Sequence, residues 1–510
     1  MIMQFKERLM SAKNLKFVDV SFSYHILQEP IVSSLNVHFS KGWTGIVGPN
    51  GVGKSTVAKL AAGILLPTRG SVIIDDGLKS FYCEQSTVNP PDRVAEFIIK
   101  AESLSGKLCS MLEIDTDWAD RWDTLSHGER KRLQIGMALW SEPDILVLDE
   151  PFNHIDIKTK QLLLSSLLTF NSIGILVSHE RDMLDALCHS CLFMRPGYAM
   201  LRRANFTEGY ENQQFEDAVR EKNYRLALAR YRDTKKRAAS MRQREDGKAG
   251  KLSKRKIPRN DRDAKCKVDA ARLTGKDKKG ARKVKLLEAR ADKLGSDASS
   301  IYFRRRKTNG IIFKGEISER NSLVAIEEQS IPLGPEKKLL VPDINVSPDD
   351  RIAIIGGNGT GKSTLINFII RKIRLLPEHV VYVPQEIDTQ LWGKTRDVMS
   401  QLDGGSLGLL LTAVHRLGSE PDRVIHSEIP RPGEMRKIML ALGLLKIPSL
   451  VIMDEPTNHM DIPSIQCLEN ALCQYDGGLI IVSHDRAFIR NTTNIIWEIV
   501  GSGSELKLKI

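Results

Sequence analysis

Short apolar runs that end in polar residues recur along the chain. Such runs stand at 44–47 and 352–355, while ILVLDEP (145–151) ends in an Asp-Glu pair and ILVSHE (175–180) in a His-Glu pair. Strands that are apolar throughout are typical of a parallel sheet covered on both faces. The pattern therefore predicts an α/β fold. Ligand sites in open α/β sheets gather at the carboxyl ends of strands, where these polar residues stand.

Helical patterns separate the apolar runs. One helix is predicted over residues 56–66, and an amphipathic helix begins within TLSHGER (124–130) and extends to about Trp140. Ser126 and Glu129 have the three-residue spacing of a capping box. A further strand is predicted to end near residue 85. The alternation of strands and helices agrees with an α/β sheet.

The second half of the chain repeats the first. An offset of 305 residues relates three pairs, which are Glu150 and Glu455, Gly128 and Gly433, and His179 and His484. Two further pairs, Lys54 with Lys362 and Gln85 with Gln385, have offsets of 308 and 300 residues. Offsets this large and this similar indicate duplication of a whole domain rather than a short solenoid repeat.

A strongly basic segment lies between the two copies. Residues 221–290 carry 26 Lys and Arg against 9 Asp and Glu, a net charge of +17, whereas the whole chain carries +12. Two long helices are predicted, at about 211–244 and 263–294, around a tip at 246–261 that contains glycine and proline. The charge predicts a hairpin that projects into solvent and meets a polyanion. A disordered basic linker is the alternative.

Composition narrows the class of protein. With 510 residues and 41% hydrophobic content the chain can build several globular cores. No stretch is long and apolar enough for a membrane span, and the first residues lack the apolar region of a signal peptide. Seven scattered cysteines favour a reducing cytosol. Cys188 and Cys191 have C-x-x-C spacing without a second pair, which favours a buried thiol pair over a zinc site.

Two glycine-rich segments carry the clearest chemistry. GPNGVGKST (48–56) and GGNGTGKST (356–364) both fit G-x-x-x-x-G-K-[ST]. In such a loop backbone N–H groups surround the phosphates, the lysine reaches the β and γ oxygens, and the serine hydroxyl binds Mg²⁺. The predicted nucleotide-binding residues are Gly48, Asn50, Gly51, Gly53, Lys54, Ser55 and Thr56, and Gly356, Asn358, Gly359, Gly361, Lys362, Ser363 and Thr364. The sequence predicts two ATP sites.

The strand-end residues supply the rest of each site. The predicted Mg²⁺ ligands are Asp149, Gln85 and Ser55 in the first copy, and Asp454, Gln385 and Ser363 in the second. Glu150 and Glu455 are the predicted general bases for the attacking water. His179 and His484 are predicted to position that water or the γ-phosphate. Tyr24, which precedes the first loop by 24 residues, either stacks on a nucleobase or lies in the core.

The motifs then carry a family resemblance. Six motifs occur in the same order in both halves of the chain: the phosphate loop, a glutamine, an LSxGE-like signature, an Asp-Glu pair, a D-loop and a histidine. This order resembles that of the ATP-binding-cassette ATPases. The resemblance covers nearly the whole chain apart from the basic segment. It implies two cassettes that face head to tail, with each ATP held between one phosphate loop and the opposite signature.

The two signatures differ. By the resemblance, Ser126, Gly128 and Glu129 complete the site built on Lys362. The second signature, IPRPGE (429–434), completes the site built on Lys54; it keeps Gly433 and Glu434, but Arg431 stands where serine is expected. The Lys54 site is therefore expected to be the slower one.

Within that family the chain resembles the ABC-F branch. PTNHMD (456–461) matches that branch's D-loop, and PFNHID (151–156) departs from it at Phe152. The resemblance implies a cytoplasmic, monomeric translation factor that uses ATP and Mg²⁺, has no membrane contact, and binds the ribosomal exit site through rRNA and tRNA. The resemblance also implies a function in translation regulation, stall rescue or antibiotic resistance. The expected domains are cassettes at 1–208 and 301–510 with a linker at 209–300.

Three other functions stay open at this level. A DNA-associated ATPase of the same architecture would show the same basic hairpin, since charge alone does not distinguish RNA from DNA. An ATPase subunit of a membrane transporter would share the cassettes but give the hairpin no function. A scaffold without activity is disfavoured because Lys54, Lys362, Glu150 and Glu455 are all present.

Overall fold

The structure is a computed structural model with two compact units. It describes residues 13–25, 29–87, 89–91, 93–99, 104–251, 263, 266, 276–300, 315–419, 421, 430 and 432–510. One unit comprises Met1–Gly209 with Lys307–Ile510, and the other comprises Tyr210–Arg306. The first unit contains both cassettes. The second contains the basic segment.

The first cassette combines an antiparallel sheet with a mostly parallel one. Its strands are β1 (Leu15–Phe22), β2 (Val32–Phe39), β3 (Gly42–Val47), β4 (Arg69–Ile74), β5 (Ser80–Cys83), β6 (Ile145–Asp149), β7 (Ile173–Val177), β8 (Ser190–Arg195) and β9 (Tyr198–Arg202). Its helices are α1 (Lys54–Ala61), α2 (Val94–Ile99), α3 (Leu104–Met111), α4 (His127–Trp140), α5 (Ile157–Leu167) and α6 (Arg181–Leu187). The sheet orders are β2-β1-β4 and β5-β6-β7-β3-β8-β9.

The second cassette repeats this arrangement. After the hairpin helices α7 (Phe206–Lys251) and α8 (Lys276–Ser300) come β10 (Val324–Ile326), β11 (Gln329–Pro332), β12 (Lys338–Val341), β13 (Ile344–Val346), β14 (Arg351–Gly356), α9 (Lys362–Lys372), β15 (Val380–Val383), α10 (Thr389–Ser400) and α11 (Gly404–Arg416). The remaining elements are α12 (Pro432–Leu445), β16 (Leu450–Asp454), α13 (Ile462–Cys473), β17 (Gly478–Val482), α14 (Arg486–Thr492), β18 (Ile495–Ser502) and β19 (Glu505–Lys509). The large sheet has the order β11-β12-β19-β18-β14-β17-β16-β15.

The parallel strands bring the functional segments to one edge. Strands β6, β7, β16 and β17 are buried at every position, which explains their uniformly apolar sequences. In the first cassette β7 lies between β3 and β6, and in the second β17 lies between β14 and β16. The phosphate loop, the Asp-Glu pair and the histidine therefore follow three adjacent parallel strands. They must meet at the carboxyl end of the sheet.

The basic segment is a helical hairpin. Ala238 of α7 and both Val284 and Ala291 of α8 are buried, and Arg242 lies 3.4 Å from Glu288. Gly280 of α8 lies against Glu245, so a Cβ at this position would meet the glutamate carboxylate. The two helices thus pack side by side with small residues between them.

Several predicted boundaries differ from the structure. Helix α7 begins five residues before the predicted 211 and includes residues 246–251, so the predicted breaker-rich tip is wrong there; residues 252–262 lie outside the described residues. Helix α8 contains Gly280 and extends to Ser300, and the disordered alternative is wrong for these helices. Helix α1 ends at Ala61, five residues before the predicted end.

Cys188 and Cys191 are both buried, as a thiol pair requires. Among the described residues no group of three or more His, Cys, Asp or Glu side chains is placed to hold a metal ion.

Candidate nucleotide-binding sites

Both phosphate loops close on a glycine in the left-handed region. Gly53 has φ +100° and Gly361 has φ +90°, and each directly precedes the first helical residue. The backbone conformation of Gly361 favours glycine, and a Cβ there would also lie 2.5 Å from a Leu333 methyl carbon, so the leucine side chain would have to move. The first backbone N–H groups of α1 and α9 consequently have no intrahelical acceptor, which suits an anion.

The loop lysines lie inside the loops. Lys54 Nζ donates hydrogen bonds to the carbonyl oxygens of Gly48 and Pro49 at 2.9 and 3.1 Å. Lys362 Nζ donates to the carbonyl oxygens of Gly356 and Gly357 at 3.0 and 2.9 Å. Burial lowers the pKa of both ammonium groups. An ammonium held among backbone carbonyls at the loop mouth is placed to meet phosphate oxygens.

The Asp side chains provide a place for a cation. Ser363 Oγ donates to Asp454 Oδ2 at 2.8 Å, and in the first cassette the Tyr82 hydroxyl donates to Asp149 Oδ2 at 2.9 Å. The Oδ1 atom of each aspartate is buried and finds no hydrogen-bond partner within the described part of the chain. A buried carboxylate oxygen without a partner is costly, and Mg²⁺, which prefers oxygen ligands, satisfies it. The residues therefore fit a magnesium ion at both sites.

The two predicted general bases share an unusual backbone conformation. Glu150 and Glu455 have φ +48° and +49°, which costs non-glycine residues free energy of order 1–3 kcal/mol. Each one nevertheless continues the sheet, because its N–H donates to the last residue of the neighbouring parallel strand, Val177 or Val482. Each carboxylate lies near the histidine two residues beyond the end of that strand. Such strain at matching positions indicates a functional constraint.

Each glutamate faces its histidine. Glu150 Oε1 lies 3.2 Å from His179 Nε2, and Glu455 Oε1 lies 3.4 Å from His484 Nε2. Burial raises the pKa of both carboxyl groups, to about 7 for Glu455, while Lys54 and Lys362 act in the opposite direction. Burial also lowers the pKa of both histidines to about 3, so their imidazoles are neutral at pH 7. A basic carboxylate beside a neutral imidazole suits proton abstraction from water.

The cassettes contact each other through loops that meet the opposite phosphate loop. Asn50 N–H donates to Asp461 Oδ2 at 2.9 Å, and the Asn50 side-chain amide donates to the His459 carbonyl at 3.1 Å. In the mirrored contact Asn358 donates to Asp156 and His154. Each D-loop therefore lies on the other cassette's phosphate loop. This is a head-to-tail pairing of the two copies.

The predicted residues are only partly brought together. A cavity of about 400 Å³ adjoins the second phosphate loop. It is lined by His154, Leu333, Asn358, Gly359, Gly361, Lys362, Ser363, Thr364, Gln385, Glu455, Asn458 and His484. Its lining, within the described part of the chain, does not include the signature residues Ser126, Gly128 and Glu129. Ser126 and Glu129 form the capping box that begins α4, and Gly128 lies in its first turn.

Other predicted residues lie at the margins. Gln85 is exposed, and Gly433 lies against the His459 carbonyl of its own cassette's D-loop. Glu434 belongs to the first turn of α12, whereas Arg431 lies outside the described residues. Tyr24 is 54% exposed and its hydroxyl lies 3.3 Å from Thr56 Oγ1 beside the loop. The alternative that Tyr24 is a core residue is therefore wrong.

Comparison with known proteins identifies the family. The family model described as "ABC transporter" matches the chain twice, over residues 32–153 and 341–458. Ribosome protection protein VmlR of Bacillus subtilis is 27% identical over 95% of this chain and 87% of its own length. Energy-dependent translational throttle protein EttA of Mycobacterium tuberculosis is 26% identical over 89% of this chain and 86% of its own. The chain belongs to the ABC-F family.

Solved structures agree with this ABC-F fold. The archaeal ribosome recycling factor aABCE1, solved in complex with the archaeal ribosomal stalk protein aP1, has a TM-score of 0.63 at 17% identity and covers 96% of this chain and 89% of its own. RNase-L Inhibitor has a TM-score of 0.62 at 18% identity and covers 96% of this chain and 78% of its own. The predicted fold class, two tandem cassettes joined by a helical hairpin, is confirmed. None of the helices that the structure describes is long and apolar enough to cross a membrane.

Two buried cations of the ABC-F chain were not predicted as site residues. Lys131 of α4 and Arg436 of α12 are 305 residues apart and almost fully buried. Lys131 Nζ donates to the Glu84 and Gln85 carbonyls at 2.8 and 3.3 Å. Arg436 donates to the Gln385 carbonyl and, at 2.7 Å, to the Asn458 carbonyl. Arg436 thus connects α12, the segment that contains Gln385, and the D-loop. Its only signal in the sequence was that a cation occurs on both helices at the same 305-residue offset.

We expect Arg436→Met to weaken ATP hydrolysis. The substitution leaves two carbonyl groups without a hydrogen-bond donor, and an unpaired buried carbonyl costs about 1–3 kcal/mol. The two loops would therefore shift to reach other donors, and kcat/KM should fall ~10-fold or more. Arg436→Lys should retain part of the activity, because an ammonium can serve one loop as Lys131 does. Steady-state ATPase rates measured beside thermal melting curves test this. An unchanged kcat/KM in Arg436→Met at an unchanged melting temperature would show that the arginine has no positioning role.

Three histidines meet at the cassette interface. The ring of His154 lies 4.8 Å from that of His459 and 6.0 Å from that of His127, measured between centroids. Burial lowers the pKa of all three, to about 4 for His127 and His459. The neighbouring cations Arg130, Lys131 and Arg436 act in the same direction, and Glu386 opposes them at His154.

We expect acid to separate the cassettes of this ABC-F protein. Separated cassettes expose the imidazoles, whose pKa then returns toward 6.5, so the separated form binds more protons and gains stability as pH falls from about 6.5 to 4. Energy transfer between dyes on the two cassettes, recorded with ATP at pH 7.5 and pH 5.5, measures the effect. A variant with His127, His154 and His459 all replaced by Gln should respond less. Equal acid responses in the parent and this variant would contradict the prediction.

Proposed function

We propose that this ABC-F chain is a Mg²⁺-dependent ATPase switch that acts on the ribosome. ATP closes the cassettes and favours binding at the ribosomal exit site, and hydrolysis reopens them and permits release. The observation that carries the proposal is a helical hairpin, whose residues 221–290 carry a net charge of +17, between two cassettes with complete Lys, Asp and Glu sets. The names of its relatives, a ribosome protection protein and a translational throttle protein, support it.

We assign a role to each residue of the two sites. Ser363 and Asp454, joined by a hydrogen bond, would hold Mg²⁺ with Gln385, and Ser55, Asp149 and Gln85 would do so in the first cassette. The bound ion neutralises charge on the β and γ phosphates. Glu455 and Glu150 accept a proton from the attacking water, and the neutral histidine beside each holds the carboxylate or the water in place.

The hairpin is the proposed contact with RNA. Lysines and arginines replace counterions condensed on phosphates, and within residues 221–290 the only aromatic residues are Tyr224 and Tyr231. Backbone and shape recognition therefore suits it better than base stacking. We propose that it acts on the peptidyl tRNA near the peptidyl-transferase centre, in translation regulation, stall rescue or antibiotic resistance. Cassettes at 1–208 and 301–510 with a linker at 209–300 and a cytoplasmic location accord with this function.

Competition between nucleic acids tests the partner. Labelled protein with ATP is bound to purified ribosomes and challenged with duplex DNA at equal phosphate concentration and matched salt. We expect ribosomes to prevail. Reversing two exposed charges of α7, Lys236→Glu with Arg237→Glu, should weaken binding and flatten its salt dependence. Displacement of ribosomes by DNA would favour a DNA-associated ATPase instead.

A further inference from the structure

A groove with an apolar floor lies between the two cassettes. It has a volume of about 690 Å³, which is within the range of ligand pockets. The second cassette supplies four isoleucines of the lining, Ile355, Ile489, Ile496 and Ile499, and the first cassette supplies Ile157, Lys158 and Gln161 of α5. Ile496 is 53% exposed, so apolar surface of the groove is open to solvent.

The corresponding surface of the first cassette is contacted by the first two residues of α7. Phe206, at the start of α7, stacks on Phe193 of β8 with ring centroids 6.2 Å apart. Asp185 of α6 accepts hydrogen bonds from the Thr207 N–H, at 2.8 Å, and from the Thr207 hydroxyl. The surface between α6 and β8 is therefore a place where the first turn of a helix binds.

The internal repeat relates that surface to the groove. Phe193 of β8 pairs with Val47, the residue before the first phosphate loop, and Glu498 of β18 pairs with Ile355, the residue before the second. Phe193 and Glu498 are therefore equivalent positions. Arg490 occupies in α14 the position that Asp185 occupies in α6, since both are the fifth residue of their helix. The second cassette thus presents the same site with an inverted charge: an arginine replaces the aspartate that accepts from Thr207.

The charges of the groove define what it can bind. Arg486 and Arg490, one helical turn apart on α14, both line the groove and are exposed. Neither has an ion-pair partner among the residues that the structure describes. Lys158 is already held by Glu113 at 2.6 Å. Two free guanidinium groups above an isoleucine floor require an occupant with carboxylates on one side and apolar groups on the other.

We propose that this groove binds an acidic amphipathic helix of a partner protein. The helix takes the place on the second cassette that Phe206 and Thr207 take on the first, with its carboxylates on Arg486 and Arg490 and its apolar face on the isoleucines. RNA fits less well, because phosphates would gain nothing from the isoleucine floor. Walls from both cassettes make this site sensitive to their pairing.

Charge-swapped peptides test the proposal on the full chain. The probe is a fluorescein-labelled 14-residue helical peptide with leucines at i, i+3 and i+7 and glutamates at i+1 and i+5 on the adjoining face. A second peptide carries lysines in place of the glutamates. Anisotropy is measured with a non-hydrolysable ATP analogue for the parent and for Arg486→Glu with Arg490→Glu. Lys394→Glu with Arg396→Glu, on exposed positions of α10, is the control with the same change of charge.

The expected pattern is a crossover. The parent and the control bind the acidic peptide, the groove variant binds it ~10-fold or more weakly, and the groove variant alone prefers the lysine peptide. Ile496→Asp, a change at an exposed position, should also weaken binding of the acidic peptide. Absence of binding to the parent, or equal loss in the control variant, would overturn the proposal. A labelled 20-nucleotide oligouridylate is measured in the same way. If the parent binds this RNA but neither peptide, and the groove variant does not bind the RNA, the groove is an RNA surface instead.

Discussion

Glu150→Gln combined with Glu455→Gln should reduce ATP hydrolysis at least ~100-fold while leaving ATP binding intact, since a general base contributes about 10²–10⁴ to the rate. Both carboxylates are buried, and their raised pKa values suit proton abstraction near neutral pH. The amide has the same shape but does not accept the proton. Single-turnover ADP formation and retention of labelled ATP measure the two effects separately.

The single variants should differ. By the family resemblance, the serine-containing signature would complete the site of Glu455, and the signature with Arg431 would complete the site of Glu150. We therefore expect Glu455→Gln alone to cost more activity than Glu150→Gln. Glu378→Gln with Glu505→Gln, two glutamates outside both sites, is the matched control and should be neutral. Hydrolysis at the parent rate in the double variant would remove these glutamates from the mechanism.

Arg181→Ala should have the second largest effect, on pairing of the cassettes. Arg181 Nη1 of the first cassette lies 3.2 Å from Glu469 Oε2 of the second, and Nη2 lies 3.5 Å from Asp485 Oδ2. All three side chains are about 90% buried. Removing the cation leaves buried carboxylates without compensation, which costs about 3–5 kcal/mol, or at least ~100-fold in the population of paired cassettes. Energy transfer between the cassettes at saturating ATP measures this population.

Two further variants separate charge from packing. Arg69→Ala breaks an exposed pair with Asp19 and should cost only about 0–1 kcal/mol. Arg181→Met with Glu469→Leu replaces the buried pair by apolar groups and should restore much of the pairing. Asp485 does not then stay unpaired, because it accepts the Phe488 N–H at the start of α14. Normal pairing in Arg181→Ala would show that the ion pair is not needed.

The sequence predicted those parts of the site that are tied to strand ends. Lys362, Asp454 and His484 meet because each follows one of three adjacent parallel strands, and uniformly apolar runs identify such strands. Arg181 and Glu469 were not predictable in this way. Their contact depends on how two domains pack across 288 residues of sequence, and an arginine after a strand carries no signal of its partner.

Helix limits were less predictable for a related reason. Local composition placed a break at 246–251, where two glycines occur, yet α7 continues to Lys251. Gly280 likewise lies inside α8, where it makes room for Glu245 of the opposite helix. At Gly280, packing between the two helices thus overrides the weak helix propensity of glycine.

The ribosomal switch is tested most directly by sedimenting the Glu150→Gln, Glu455→Gln protein with purified ribosomes at near-physiological salt, with ATP, with ADP and without nucleotide. Comigration is expected with ATP alone, and it should weaken when residues 246–261 are replaced by a short Gly/Ser loop. Comigration that is absent with ATP, or equal in all three conditions, would contradict an ATP-dependent function on the ribosome.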